Sequence, residues 1–278
     1  MLNNPVLQQL EIIYQDQDLL IINKPAGLVV NRAQTVKQAT LQDWLAARQD
    51  KQLPAEQWQD LVPGDFNKQY GSAEEIFAQR QGLVHRLDKD TSGVMVAAKN
   101  PGSLVNLLAQ FKKRQVKKAY LALVHGRLQL KQGKINLPLS RTRTSPHQFA
   151  VAADGRPAQT SYEVLQEFTK LDLQIPAKLK KYQRTYQAGF SLVKCWPQTG
   201  RTHQIRVHFK HLQHPLVGDQ HYAGRKRIKL DKLWCPRQFL HAQELCLMRP
   251  RNHKQQCFQA ALTDDLQVVL KRLRGEGG

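Results

Sequence analysis

The apolar positions of the chain fall mostly into short runs broken by polar turns, and only a few windows carry helical spacing. LEIIYQDQDLLIINKPAGLVV (10–30) has two β-branched runs around QDQD, then a Pro-Ala-Gly turn, and predicts a hairpin. TLQDWLAARQ, from Thr40, predicts a capped helix. GVMVAAKN (93–100) predicts a strand. In the next segment Asn100 is placed to cap, Pro101 suits the first helical position, and Leu104, Leu107, Leu108 and Phe111 share a helix face. KAYLALVHG (118–126), TSYEVLQEF (160–168) and AGFSLVKCWP (188–197) predict further strands. TGRTHQIRVHFKHLQHP (199–215) predicts a turn leading into a helix capped by Thr202, with VGDQHY as a loop after it. RQFLHAQELCLMRP and CFQAAL would close a sheet. Many strands, few helices and no strict alternation between them predict an α+β fold around a central mixed, mostly antiparallel sheet with flanking helices and loops.

Two segments fit no element. Residues 50–82 are polar, contain Pro54, Pro63 and Gly64, and read as a long, mobile loop. Residues 169–187 read as a basic insertion between strands. The end, LKRLRGEGG, reads as a basic tail (263–278) that frays. With an extension over 1–9, this leaves one catalytic-sized domain over 10–262.

Charge narrows the partner. Lysine and arginine number 42 against 22 acidic residues, a net charge of +20. The excess is clustered in FKKRQVKK (111–118) and GRKRIKLDK (224–232), as expected for a protein that meets a polyanion such as nucleic acid. At 111–118 the helix dipole alone also favours cations, and the two explanations are compatible. No apolar run reaches the roughly 18–20 residues of a membrane helix. The N-terminus lacks a secretory pattern, so a cytoplasmic protein is expected. Cys195, Cys235, Cys246 and Cys257 form no C-x-x-C pair, and four reduced thiols are expected. His208, His211 and His214 have an i, i+3, i+6 spacing that drifts around a helix, so a polar helix face is expected and a metal is not.

The densest chemistry lies in HRLDKDTSG (85–93). Asp88, Asp90, Ser92 and Gly93 match the start of a calcium loop, but the twelfth position, where a bidentate glutamate is required, is Lys99. A hydrolase dyad of Asp88 and Asp90 is poorly placed, because side chains two apart on an extended chain point to opposite faces. A plain turn accounts for DTSG but not for HRLD before it. The residues alone leave turn and catalysis open.

HRLDKDTSG resembles the central signature of the RluA-type pseudouridine synthases. NKPAGLVV (23–30), KKAYLALVHG (117–126), RPAQTSYEVL (156–165), TGRTHQIRVHFKHLQHPLVGDQHY (199–222) and FLHAQELCL (239–247) resemble that family's other motifs, in order, over roughly residues 10–262. The long 50–82 segment and the basic 169–187 segment depart from the pattern.

The resemblance implies a pseudouridine synthase fold and isomerisation of uridine within RNA, ribosomal in the first instance and transfer RNA as the alternative. The base leaves the sugar at N1, turns and rejoins through C5, with no change of redox state and no atoms gained, so no cofactor or metal is expected. Asp88 is implied as the nucleophile or base. It must stay ionised while substrate shields it from water, and Arg206 is implied as the cation that stabilises that charge. Tyr120 is implied to stack on a uridine flipped from its helix or loop, Arg86 to fill the gap left behind, and Leu240 to pack on the base. Lys112, Lys113, Lys117 and Lys118 are expected to hold RNA phosphates. On pattern alone Tyr120 is a strand aromatic and Arg206 a solvated helix cation; in the implied site Arg206 pairs with Asp88, and Arg206→Met is expected to leave folding intact because it removes one buried charge without opening a cavity. Many relatives carry a small N-terminal RNA-binding module; here the motifs start near residue 10, so RNA affinity is expected from the basic surface of a monomer.

Overall fold

The computed structural model describes residues 4–48, 54–143, 145, 148–169, 171 and 173–275. Along these the strands are β1 (Glu11–Gln15), β2 (Leu19–Lys24), β3 (Ser92–Ala98), β4 (Lys117–His125), β5 (Gln132–Asn136), β6 (Leu139–Arg141), β7 (Phe149–Val151), β8 (Gln159–Phe168), β9 (Phe190–Pro197), β10 (Leu240–Met248) and β11 (Gln255–Gln259). The α-helices are α1 (Leu41–Ala46), α2 (Ala73–Arg80), α3 (Pro101–Lys112), α4 (Gln204–His211), α5 (Arg225–Asp231) and α6 (Asp264–Arg274). Short 3-10 helices occupy Pro5–Gln9, Ala55–Gln57, Gln59–Leu61, Lys68–Tyr70 and Ala177–Tyr186. The chain divides into two compact units, 1–117 with 244–260, and 118–243 with 261–278.

In the first unit the strand order is β1-β2-β3-β10, with β11 beside β10. The β1–β2, β2–β3 and β10–β11 pairs are antiparallel. The predicted hairpin is β1–β2, and β3 is buried along its whole length, which is why GVMVAA carries apolar or small residues on both faces. Thr40 caps α1 in a capping box with Asp43, and Asn100 caps α3 with Pro101 at its first position, as the sequence predicted. The 54–82 stretch is packed, contrary to the loop expected there. Ser72 and Glu75 form a capping box for α2, and Trp58, Leu61, Ala73 and Val105 make a small apolar core. At Gly102 a Cβ would stand 2.1 Å from the Trp58 carbonyl oxygen, so only glycine lets this segment lie on the start of α3.

Cys246 and Cys257 face each other across β10 and β11 and form a disulfide, with Cα atoms 4.0 Å apart. This corrects the expectation of four reduced thiols. Only Cys195 and Cys235 remain thiols, both buried, and burial pushes the Cys235 thiol up to about 12.

In the second unit the order is β4-β9-β8-β5, all antiparallel, with β6 and β7 as a separate pair. Two cores flank these strands. One joins Leu123, Phe190, Leu192, Trp234 and Phe239 to α6, and the other joins Val193, Cys195, Ile205, Phe209 and Leu240. Helix α6 overturns the expectation of a fraying tail. Leu266, Val269, Leu270 and Leu273 recur at helical spacing on its buried face, Asp264 and Asp265 lie in its first turn, and Lys271, Arg272 and Arg274 in its last. Residues 276–278 of the expected tail lie outside the described residues.

Leu266 is fully buried in this core while Val268, on the same helix, is 47% exposed. Leu266→Ala is expected to cost about 2–5 kcal/mol of folding free energy by emptying a packed site. Val268→Ala should cost within about 0.5 kcal/mol. Urea denaturation of the two variants checks this; equal stabilities would mean that α6 is not anchored.

Candidate active site

In the first unit, residues 85–91 of HRLDKDTSG form an irregular loop between α2 and β3, and Ser92 and Gly93 open β3. Irregular backbone needs partners for its polar groups, and specific contacts hold this loop in place. His85 accepts a hydrogen bond from the Val96 N–H at 3.1 Å through Nε2, and its ring stacks on Phe111 with centroids 4.9 Å apart. The Thr91 N–H donates to the Asp88 carbonyl at 3.1 Å, closing a turn over 88–91. The Lys89 carbonyl accepts from the Gly27 N–H at 2.9 Å and from the Lys24 Nζ at 3.0 Å.

Lys24 is the residue that sequence reasoning missed. It is fully buried, and its ammonium also donates to the Pro25 carbonyl at 2.8 Å and the Leu28 carbonyl at 3.0 Å. One buried cation therefore ties the NKPAG turn to the residue after Asp88. A lysine before Pro-Ala-Gly was visible, but a lysine is normally expected in solvent. Within this frame the Asp88 side chain is half-buried, Arg86 and Asp90 are exposed, and Thr91 and Ser92 are buried. Asp88 thus starts a turn, as one of the two readings left open by the sequence expects, and its side chain stands at the loop's surface.

Lys112, Lys113 and Lys117 are exposed on the first unit. Lys113 pairs with Asp65 at 2.8 Å, which fastens the 54–70 segment to the end of α3.

The second unit carries Lys118, Tyr120, Arg206 and Leu240. Tyr120 lies opposite Cys195 in the β4–β9 pair and packs on the core formed by Ile205, Phe209 and Leu240. Leu240 is 4% exposed. Lys118 shares the Tyr120 face of β4, since side chains alternate along a strand. Burial holds its ammonium down at about 8.

Helix α4 begins at His203, whose φ of 56° places it in the left-handed region, so the cap is one residue later than Thr202. Gln204 organises this turn. Its amide donates to the Gln159 carbonyl and the Thr160 hydroxyl, and its oxygen accepts from the Thr199 hydroxyl at 2.6 Å and the Arg201 N–H at 3.1 Å. His208 is fully buried between Thr160 Oγ1 at 2.9 Å and the Leu137 carbonyl at 3.1 Å, and burial holds it neutral. His214 bonds to the His125 carbonyl. His208 and His214 are thus held by structural hydrogen bonds while His211 is exposed, and among the described residues no three metal-ligating side chains come together.

Arg206 is 2% exposed, which excludes the solvated helix cation. Asp219 binds it in a fork, Nε to Oδ2 at 2.7 Å and Nη2 to Oδ1 at 2.9 Å. The guanidinium stands over the Tyr222 ring at 5.0 Å, and Asp219 Oδ1 also accepts from the His221 and Tyr222 N–H groups. Sequence reasoning missed Asp219, and the one signal for it is that it is the only acidic residue between 173 and 230. It also changes the expected effect of removing Arg206, because a fully buried carboxylate would lose its counter-charge. Arg206→Met is expected to destabilise the fold by about 3–5 kcal/mol, where the sequence alone predicted an intact fold. Urea denaturation of the purified variant checks this, and wild-type stability would mean that Asp219 finds another cation.

A family profile described as RNA pseudouridylate synthase matches residues 18–211. An uncharacterized RNA pseudouridine synthase of Chloroflexus aurantiacus is 38% identical over 252 residues, covering 91% of this chain and 66% of that one, just under two thirds. The ribosomal large subunit pseudouridine synthase D of Buchnera aphidicola is 36% identical over 277 residues, covering 95% of this chain and 73% of that one. Among solved structures, human RNA pseudouridylate synthase domain containing 1 superposes with a TM-score of 0.60 at 28% identity, covering 92% of this chain and 83% of that one. Human RNA pseudouridylate synthase domain containing 4 has a TM-score of 0.63 at 23% identity and shows the same fold, covering 95% of this chain and 92% of that one. The order and content of the motifs, the fold and these matches place the chain in the RNA pseudouridylate synthase family, isomerases that convert uridine to pseudouridine in RNA.

Proposed function

We propose that this chain converts uridine to pseudouridine in ribosomal RNA, with Asp88 as the reacting carboxylate. The observation that carries the reading is the loop over 85–91, in which Lys24, His85 and the 88–91 turn fix the backbone on either side of an accessible Asp88. The name of the Buchnera relative, which refers to the large ribosomal subunit, favours ribosomal over transfer RNA.

Isomerisation breaks the bond from N1 to the ribose, turns the uracil and joins C5 to the same sugar carbon. The C5 proton leaves and N1 gains one, so atoms and electrons balance without a redox partner. Asp88 acts on the sugar or the base ring. Tyr120 gives a flat face for the flipped base, and stacking of this kind is worth about 1–3 kcal/mol. Leu240 lies in the same core as Tyr120 and packs beside the base. Arg206, oriented by Asp219, supplies a fixed positive charge that no pH change near neutrality removes. Arg86, exposed two residues before Asp88, fills the space the base vacates. Lys112, Lys117 and Lys118 meet phosphates; Lys113 does so only by exchanging its pairing with Asp65.

Asp88→Asn is expected to abolish tritium release from C5-labelled uridine in large-subunit RNA, by at least about 10³-fold, with RNA affinity kept. Asp90→Asn, altered at an exposed turn position, should keep most activity. Turnover by pure Asp88→Asn protein would remove Asp88 from the chemistry, and absence of release by the unaltered chain would leave an RNA-binding protein without this activity.

A further inference from the structure

The 169–187 insertion and the GRKRIKLDK run were singled out by charge, and the reaction uses neither. In the second unit they pack on each other. The 3-10 helix Ala177–Tyr186 ends at Tyr186, whose hydroxyl donates to Asp231 Oδ1 at 2.6 Å at the end of α5 and accepts from the Trp234 indole at 2.9 Å. Asp231 is fully buried, and its other oxygen takes the Gly218 N–H at 2.9 Å and lies 3.0 Å from His125 Nε2. Burial and Asp231 both push the Tyr186 phenol up, so it stays protonated and donates. Midway, the Tyr182 ring is flanked by Lys181 Nζ at 5.4 Å from the insertion and by Lys229 Nζ at 5.3 Å from α5. The two segments therefore hold their cations in one fixed arrangement.

Among the described residues of the insertion and of α5, every exposed charge is a cation. From 173 to 232 the sequence holds 13 lysines and arginines and only two acidic residues, Asp219 and Asp231, both fully buried. Lys178, Lys180, Lys181, Arg184, Arg225, Lys226, Lys229 and Lys232 are exposed. A surface charged only for solubility would intersperse both signs. Leu179 and Tyr182 are turned partly inward, which leaves no apolar edge to enter a lipid surface. The Tyr182 ring is engaged by two lysine ammoniums, so the patch offers chiefly cations to phosphates.

We propose that the insertion and α5 form a second RNA contact that grips the sugar–phosphate backbone away from the modified uridine, in duplex or single-stranded segments alike. The patch rests on the RNA-modifying reading and adds to it a device built from a segment that departs from the family's sequence pattern. It strengthens binding without reading sequence, and its contribution fades as salt rises.

The test uses the full chain, a large-subunit RNA transcript, a blunt RNA duplex and an unpaired strand of the same length. One variant carries Lys178→Gln, Lys180→Gln and Arg184→Gln; a second carries Arg225→Gln, Lys226→Gln and Lys232→Gln. A control removes three exposed cations of the first unit, with Lys37→Gln, Lys68→Gln and Arg80→Gln. Between about 50 and 200 mM KCl each patch variant should weaken binding about tenfold or more at the low-salt end, and flatten the plot of log Kd against log salt by about 2–3. The control should change neither. Circular dichroism verifies that the variants fold, as exposed substitutions should allow. Wild-type Kd and slope in both patch variants would overturn the inference, as would an equal loss in the control. Binding to phosphatidylglycerol vesicles tighter than to any of the RNAs would assign the patch to a membrane and overturn it too. Loss on the duplex alone or the strand alone would overturn the claim that the backbone is gripped in either form. Binding is read without turnover, so a wild-type chain that binds through the patch but releases no tritium would overturn the enzymatic reading and leave the patch standing.

Discussion

A lysine ammonium with no access to solvent holds the Asp88 loop in place. Burying a charge is costly unless polar groups surround it, and Lys24 meets the carbonyls of Pro25, Leu28 and Lys89. Those carbonyls belong to two irregular segments 65 residues apart, neither of which has a strand or helix to satisfy it. The arrangement is mutual: the loops supply dipoles that make a buried cation tolerable, and the cation supplies the donors that irregular backbone lacks. Removing the charge would take a donor from the Pro25 and Leu28 carbonyls and leave the Lys89 carbonyl with the Gly27 N–H. Rigid support of this kind is what a reacting carboxylate needs, because small displacements cost large factors in rate.

The second unit answers with buried carboxylates. In a 60-residue stretch dense in cations, two acids sit at the organising points. Asp219 takes Arg206 in a fork and fixes its orientation. Asp231 takes Tyr186 and fastens the insertion to α5. One acid thus orients a buried guanidinium and the other fastens a cation-bearing segment to a helix, and both do so with a fully buried carboxylate.

Most of the longer strands and the helices capped by Thr40 and Asn100 were legible because their signals are local, whereas α2, capped by Ser72 and Glu75, was hidden in a polar stretch that reads as a loop. β-branched runs, Thr40, Asn100 and Pro101 each carry their meaning within a few residues. β5 was not legible, because a short strand with mostly exposed residues, QGKIN, has little apolar alternation. α6 was legible in principle: acids at the start, cations at the end and apolar residues at i, i+3, i+4 and i+7. Its position before a Gly-rich end made it read as a tail. The Cys246–Cys257 pair and the Lys24 and Asp219 contacts were invisible for a different reason. Each depends on which segments the fold brings together, and no spacing rule encodes that. The motifs pointed to Asp88, Tyr120 and Arg206 through resemblance, whereas the partners that orient them are seen only in three dimensions.

The central proposal is that Asp88 acts on uridine in ribosomal RNA. The most direct measurement is a pseudouridine map of total RNA from cells that lack the chain, cells that carry it unaltered and cells that carry Asp88→Asn. The account predicts that at least one pseudouridine of the large-subunit RNA is missing in the first and third and restored in the second. The same map in all three, or a loss confined to transfer RNA, would contradict it.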